Sequence, residues 1–160
     1  MKERELKFTL RIFDNIKELS EEDASLLAKA KDALKDSYSP YSNFKVAATV
    51  LLTNGKTVTG TNQENAAFPV GICAEGTALS AASALYPDTA VNKIAITVKS
   101  GKQIVNHPVA PCGVCRQRIL EYETRFNSSI EIIMMGESGE IYSVKSVKDI
   151  LPLNFSKADL

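Results

Sequence analysis

Three cysteines and one glutamate carry the chemistry this sequence can do: Cys73-Ala74-Glu75 forms one short motif and Pro111-Cys112-Gly113-Val114-Cys115 another. An odd number of thiols cannot pair completely within one chain, so a disulfide framework is the wrong explanation; inert buried thiols, a nucleophile or metal ligands remain. Each motif opens a predicted helix. Residues three apart share a helical face, so Cys112 and Cys115 can grip one ion, and the partial positive charge of a helix start favours the thiolate a metal needs. With Cys73 as a third ligand, soft sulfur donors suit Zn²⁺, and three protein ligands leave one coordination position for water, as in a catalytic site. Glu75, two residues from a ligand, is placed to move a proton without binding the ion. Taken singly, these residues have plainer readings: a buried Cys is a small hydrophobe, and a glutamate in a first helical turn is favoured by the dipole. Their joint spacing favours the metal site.

The elements that must position them alternate between helix and strand. Ser20 with Asp23 marks a helix start, and residues 21 to about 35 place Ala24, Leu27, Ala28 and Leu34 near one face. Ahead of it, the alternation of Phe8, Leu10 and Ile12 suggests an extra short strand or an arm packed on a neighbour. A turn-forming loop over 37–43 leads to a strand at 44–52, and Asn54-Gly55 closes a two-residue hairpin turn onto 56–61. Residues 74–85 read as a buried Ala/Leu helix stopped by Pro87-Asp88, 93–99 as a strand, and 113 to about 124 as an amphipathic helix. Strands at 130–135 and 141–144 follow, and Ser146 with Asp149 reads as the capping box of a last helix stopped by Pro152. Helices among roughly five strands imply an α/β layered domain with a mixed sheet.

Composition narrows the function classes. The chain has 160 residues at 44% hydrophobic, which suits one domain with a buried core: residues 20–160, preceded by an extension over 1–19. Lys+Arg 19 against Asp+Glu 19 gives net charge +0, so there is no general attraction for a phosphate backbone or an anionic membrane, and neither a nucleic-acid nor a membrane partner is expected. No apolar run approaches the ~18 residues of a membrane span. The opening MKERELKFTLR carries six charges and no signal-like apolar segment, which points to a cytoplasmic protein. No glycine-rich phosphate loop or G-x-S-x-G elbow occurs, and His107, the only histidine, reads as a surface residue.

From about Ser25 onward the chain resembles a small cytidine deaminase of the homotetrameric type, within the zinc nucleoside deaminase superfamily. Four ordered segments carry the resemblance: Tyr38-Ser39-Pro40-Tyr41-Ser42-Asn43-Phe44, Asn62-Gln63-Glu64-Asn65-Ala66, Cys73-Ala74-Glu75 and Pro111-Cys112-Gly113-Val114-Cys115-Arg116-Gln117. The resemblance implies a three-layer α/β/α sandwich with a mixed five-stranded sheet. It implies one Zn²⁺ per subunit on Cys73, Cys112 and Cys115, with Glu75 as the proton carrier. The substrate implied is a pyrimidine nucleoside, cytidine or 2′-deoxycytidine, deaminated in pyrimidine salvage. By the same resemblance the Ala74 N–H and the Ala110 carbonyl contact the base, Asn62 and Glu64 hold the ribose 3′-hydroxyl, and Phe44 packs near base or sugar. Phe155 resembles an aromatic residue that stacks on the base from an adjacent subunit of a homotetramer.

One position departs from the pattern: Gly76 stands where this type usually has an arginine that donates to the zinc thiolates. Three thiolates on Zn²⁺ sum to −1, and a lost charge-assisted bond of ~1.5–3 kcal/mol slows the reaction without abolishing it. Arg116, directly after a ligand, is the candidate replacement, and the same reasoning expects Gly76→Arg to raise turnover. The rivals are a non-catalytic structural zinc module, a blasticidin-type deaminase and a deaminase of polynucleotide bases. Phe44 with Asn62 and Glu64 favours the pyrimidine nucleoside, and the balanced charge with no tryptophan disfavours the polynucleotide.

Overall fold

The computed structural model describes residues 1–160. In chain order the elements are β1 (Arg11–Phe13), α1 (Glu21–Ala33), β2 (Phe44–Leu52), β3 (Thr57–Thr61), α2 (Ala74–Leu85), β4 (Val91–Ser100), α3 (Gly113–Phe126), β5 (Glu131–Met135) and β6 (Ile141–Val144). The strands form one sheet in the order β1-β6-β5-β4-β2-β3. Neighbours are antiparallel except β4 and β5, which run parallel because α3 carries the chain back across the sheet between them.

Strand periodicity builds the three layers. Successive side chains of a strand point to opposite faces. Ala48, Val50 and Leu52 of β2, Ile94 and Ile96 of β4, and Ile132 and Met134 of β5 pack with Ala78, Leu79 and Ala82 of α2 and Ile119 and Leu120 of α3. The intervening residues Leu51, Ala95, Ile133 and Met135 meet Leu26 and Leu27 of α1 on the other face. The mixed sheet therefore lies between α1 and the α2/α3 pair, the α/β/α sandwich expected.

Four local expectations are corrected. The sheet has six strands rather than five, because Arg11, Ile12 and Phe13 pair with Ser143, Tyr142 and Ile141 at the edge. Backbone pairing carries this strand: Arg11 and Ile12 stay exposed, and the alternating Phe8 and Leu10 lie outside it and are also exposed. The buried face of α1 is Leu26, Leu27 and Ala30, with Ala28 exposed; the Ser20 cap accepts from the Asp23 N–H as the sequence predicts. Thr53, Asn54 and Gly55 form a three-residue hairpin loop, since Leu52 N–H bonds the Lys56 carbonyl and only Gly55, at φ 80, takes the left-handed conformation. Residues Val147–Asp149 make a single 3₁₀ turn instead of a helix. The buried Glu123 carboxylate of α3 accepts from the Val147 N–H and the Ser146 hydroxyl, pinning that segment to α3 just before Pro152.

The start of α2 is set by its close approach to β3. A Cβ on Gly60 would stand 2.3 Å from the Ala78 nitrogen and 2.8 Å from the Ala74 carbonyl oxygen. Only a residue without a side chain lets helix backbone and strand come this close. Gly60→Ala is expected to cost ~1–3 kcal/mol, lowering Tm by roughly 2–12 °C for a domain of this size. Thermal unfolding followed by circular dichroism checks this, and an unchanged Tm contradicts it.

Candidate active site

Cys73 is the N-cap residue of α2 and Cys112 that of α3, both in extended conformation and neither using its side chain for a capping hydrogen bond. The two sulfurs at the helix starts are thus free for another partner, and the exposed N–H groups around them favour negative charge. Cys115, one turn into α3, is buried and faces back toward α2. Its Sγ lies 2.7 Å from Cys73 Sγ and 3.7 Å from Cys112 Sγ. All three cysteines are free thiols; a disulfide holds its sulfurs at about 2.05 Å. Glu75, 4% exposed in the first turn of α2, brings a carboxylate oxygen within 4.8 Å of both the Cys73 and Cys115 sulfurs.

The electrostatics favour the thiolate at Cys73 and the protonated thiol at Cys115. The hydrogen bond from Cys115 pulls the Cys73 thiol down to about 7, against burial and the Glu75 charge, with the Gly76 N–H and the Arg118 charge assisting. Sharing that proton, together with burial and the negative charge around it, pushes Cys115 far up. The donor set suits zinc, which prefers soft sulfur in tetrahedral array. Two sulfurs on one tetrahedral zinc stand about 3.8 Å apart, which the Cys112–Cys115 pair matches, while the closer Cys73–Cys115 pair must spread by roughly 1 Å.

The residues chosen for the sugar are gathered in one network beside this cluster. After β3, the Gln63 N–H bonds the Ile72 carbonyl and the Ile72 N–H returns to Gln63, clamping the segment that carries Asn62 and Glu64 to the residue before Cys73. Asn62 Oδ1 accepts from the Val46 N–H and the Ser37 hydroxyl, and its Nδ2 donates to the carbonyl of Phe44. Glu64 Oε2 accepts from the Tyr41 and Ser42 N–H groups, and Oε1 from the Ser42 hydroxyl, which holds this carboxyl below its ordinary value. A cleft of about 380 Å³ lies here, lined by Tyr41, Glu64, Phe68 and Ile72 among others. A larger one, about 720 Å³, runs beside Lys31, Lys35 and Lys99 and contains none of the residues chosen from the sequence.

Ala74 is buried at the start of α2, and Ala110 is exposed two residues before Cys112. Phe155 is 59% exposed, its carbonyl held by Gln117 of α3. Arg116 does not serve the sulfurs: Nε bonds the Pro111 carbonyl and Nη1 the Ile150 carbonyl. The arginine beside the cluster is Arg118, which the sequence reading passed over. Its signal was the spacing, since Cys112, Cys115 and Arg118 recur every third residue along α3.

Fold and site together define an α/β/α sandwich with sulfur donors that could hold a metal at two adjoining helix starts. The family model for the cytidine and deoxycytidylate deaminase zinc-binding region matches residues 20–127, and the chain belongs to that family. It is 36% identical over 135 residues to the cytidine deaminase of Sporosarcina psychrophila, covering 84% of this chain and 92% of that one. To the cytidine deaminase of Halalkalibacterium halodurans it is 33% identical, covering 84% and 95%. The crystal structure of cytidine deaminase from Burkholderia pseudomallei superposes with a TM-score of 0.71 at 33% identity, covering 86% of this chain and 100% of that one.

The lowered Cys73 thiol gives a direct test. In metal-stripped protein the thiolate fraction of Cys73 rises with pH through about 7. Its alkylation by iodoacetamide, read by peptide mass spectrometry, is expected to accelerate with an inflection there; an inflection only near ~8.5, the ordinary cysteine value, contradicts the assignment.

Proposed function

We propose that the chain is a zinc-dependent hydrolase that converts cytidine and 2′-deoxycytidine to the corresponding uridines and ammonia. The observation that carries this reading is the convergence of three free thiols and a buried carboxylate at the starts of α2 and α3. Family membership and the relatives named cytidine deaminase support it. Cys73, Cys112 and Cys115 hold the ion, one per chain. Bound zinc supplies the Lewis acidity that makes water nucleophilic near neutral pH.

The remaining work falls to the chain's own groups. Glu75 takes a proton from the attacking water and delivers it to the pyrimidine N3, then carries the second to the departing amine. The C4–N bond breaks, the C4 carbonyl forms and ammonia leaves. The Ala74 N–H aligns the base through O2, and the Ala110 carbonyl accepts from the amino group. Phe44 packs near base or sugar. Satisfied bonds restrict what the sugar residues can offer: Asn62 Oδ1 is fully used, leaving one Nδ2 hydrogen to donate, while Glu64 Oε1 keeps a lone pair to accept. That pairing suits a hydroxyl, which both donates and accepts. Glu64, held as a carboxylate, repels a phosphate, so a free nucleoside is favoured over a nucleotide.

Residues 20–160 form the catalytic unit, with 1–19 as an extension whose β1 portion joins the sheet edge. Exposed apolar side chains at Phe68, Val70, Val114, Leu153 and Phe155 support assembly, as a homotetramer in which Phe155 reaches the base bound by a neighbouring subunit. The role is pyrimidine salvage in the cytoplasm; no helix is long and apolar enough to cross a membrane.

Glu75→Gln keeps shape and removes the proton carrier. The variant is expected to retain zinc, measured by elemental analysis, and to lose at least ~10²–10⁴-fold in kcat for cytidine, measured by the fall in absorbance. Zinc-loaded Glu75→Gln with turnover near that of the unaltered protein contradicts the role of Glu75, and an unaltered protein that holds zinc without turnover returns the site to a structural one.

A further inference from the structure

Arg118 enters the site from α3 and occupies the volume that a side chain at residue 76 would fill. A Cβ on Gly76 would stand 1.8 Å from Arg118 Nη1 and 3.0 Å from its Cζ. That Nη1 is buried and has no hydrogen-bond partner, alone among the buried side-chain nitrogens and oxygens of the chain. A buried, unpaired guanidinium N–H is costly, and buried charges persist where an opposite charge meets them. Glycine at 76 and arginine at 118 are therefore complementary: the first vacates the space and the second fills it with a cation, directly against the turn that begins at Cys73.

We propose that Arg118 is the positioning cation of the sulfur site, donating to the negative charge that the three thiolates gather when they hold a metal. The proposal rests on the zinc-binding reading above. Three thiolates and Zn²⁺ carry a net −1, which the one guanidinium offsets, leaving the Glu75 carboxylate as the remaining charge beside them. Arg118 touches no substrate; it acts by withdrawing charge from sulfur and by fixing the orientation of the ligands, as outer-shell donors do. Residue 76 then needs no arginine, and Gly76→Arg, which charge balance alone expected to be beneficial, drives a second guanidinium into occupied space and is expected to weaken the site.

The test compares unaltered protein, Arg118→Met, Gly76→Ala and the double variant Gly76→Arg/Arg118→Met. Zinc affinity is read by chelator competition, and the thiolate-to-metal charge-transfer bands by absorption after Co²⁺ substitution. Arg118→Met removes the charge at similar length, and zinc binding is expected to weaken by roughly ten- to a hundredfold with displaced cobalt bands. Gly76→Ala leaves Arg118 in the sequence but pushes its guanidinium aside; alanine favours a helix over glycine, so a folding defect is not built into this variant. It is expected to weaken zinc binding and displace the bands in the same direction. The double variant restores the charge from the other helix and is expected to recover most of the affinity. Unchanged zinc affinity and cobalt bands in Gly76→Ala or Arg118→Met, or a double variant no better than Arg118→Met, overturns the proposal while leaving the deaminase reading intact. Unaltered protein that takes up no zinc overturns both.

Discussion

Negative charge confined at the meeting point of two helix starts is the constraint to which the rest of the structure answers. Cys115 and the Glu75 carboxylate are buried against the half-buried Cys73, with the exposed Cys112 sulfur 3.7 Å from that of Cys115, and negative charge gathered there repels itself. Each source of relief is a feature of the backbone or of α3. The N-termini of α2 and α3 direct unsatisfied N–H groups at the cluster, the Gly76 N–H donates to the Cys73 sulfur, and the guanidinium of Arg118 fills the space beside it. A divalent cation is the remaining complement, and a sulfur cage of this kind suits zinc.

Convergence of this kind requires both helices on one face of the sheet with their starts at the same end. The parallel β4–β5 pair places α3 on that face, and the bare backbone of Gly60 lets α2 sit close enough to β3 to bring Cys73 to Cys115. The Gln63–Ile72 bridge then couples the hydrogen-bonded network of Asn62 and Glu64 to the residue preceding Cys73. The residues proposed as metal ligands, proton carrier and sugar contacts are thereby held on helix starts and sheet-bonded segments, the condition under which a site is ready before substrate arrives.

Most of the fold, and the motifs that bring the cysteines together, were legible because the signals were local. The Ala/Leu run of α2 between Cys73 and Pro87, the alternation of β2 and β4, and the Cys-x-x-Cys spacing each follow from short-range chemistry. What escaped depended on tertiary contact. Strand β1 is three residues long and joins the sheet through backbone pairing with β6, which leaves little trace in hydropathy. The Val147 turn ends at Asp149, where Ile150 leaves the helical conformation two residues before Pro152, and Glu123, twenty-four residues before Val147, holds the turn to α3 through the Val147 N–H. The two arginines make the point most sharply: Arg116 adjoins a ligand in sequence yet bonds backbone carbonyls elsewhere, whereas Arg118 reaches the cluster because a glycine on another helix leaves room. Sequence adjacency carried no information about which guanidinium lay beside Gly76 at the start of α2.

Zinc-edge X-ray absorption on purified, zinc-loaded protein reads the metal's immediate neighbours directly. Three sulfur scatterers at about 2.3 Å and one nitrogen or oxygen at about 2.0–2.2 Å are expected, the light atom exchanging when substrate or a competitive ligand is added. A shell of four sulfurs, or one in which fewer than three sulfurs contribute, contradicts a three-thiolate centre with an open position.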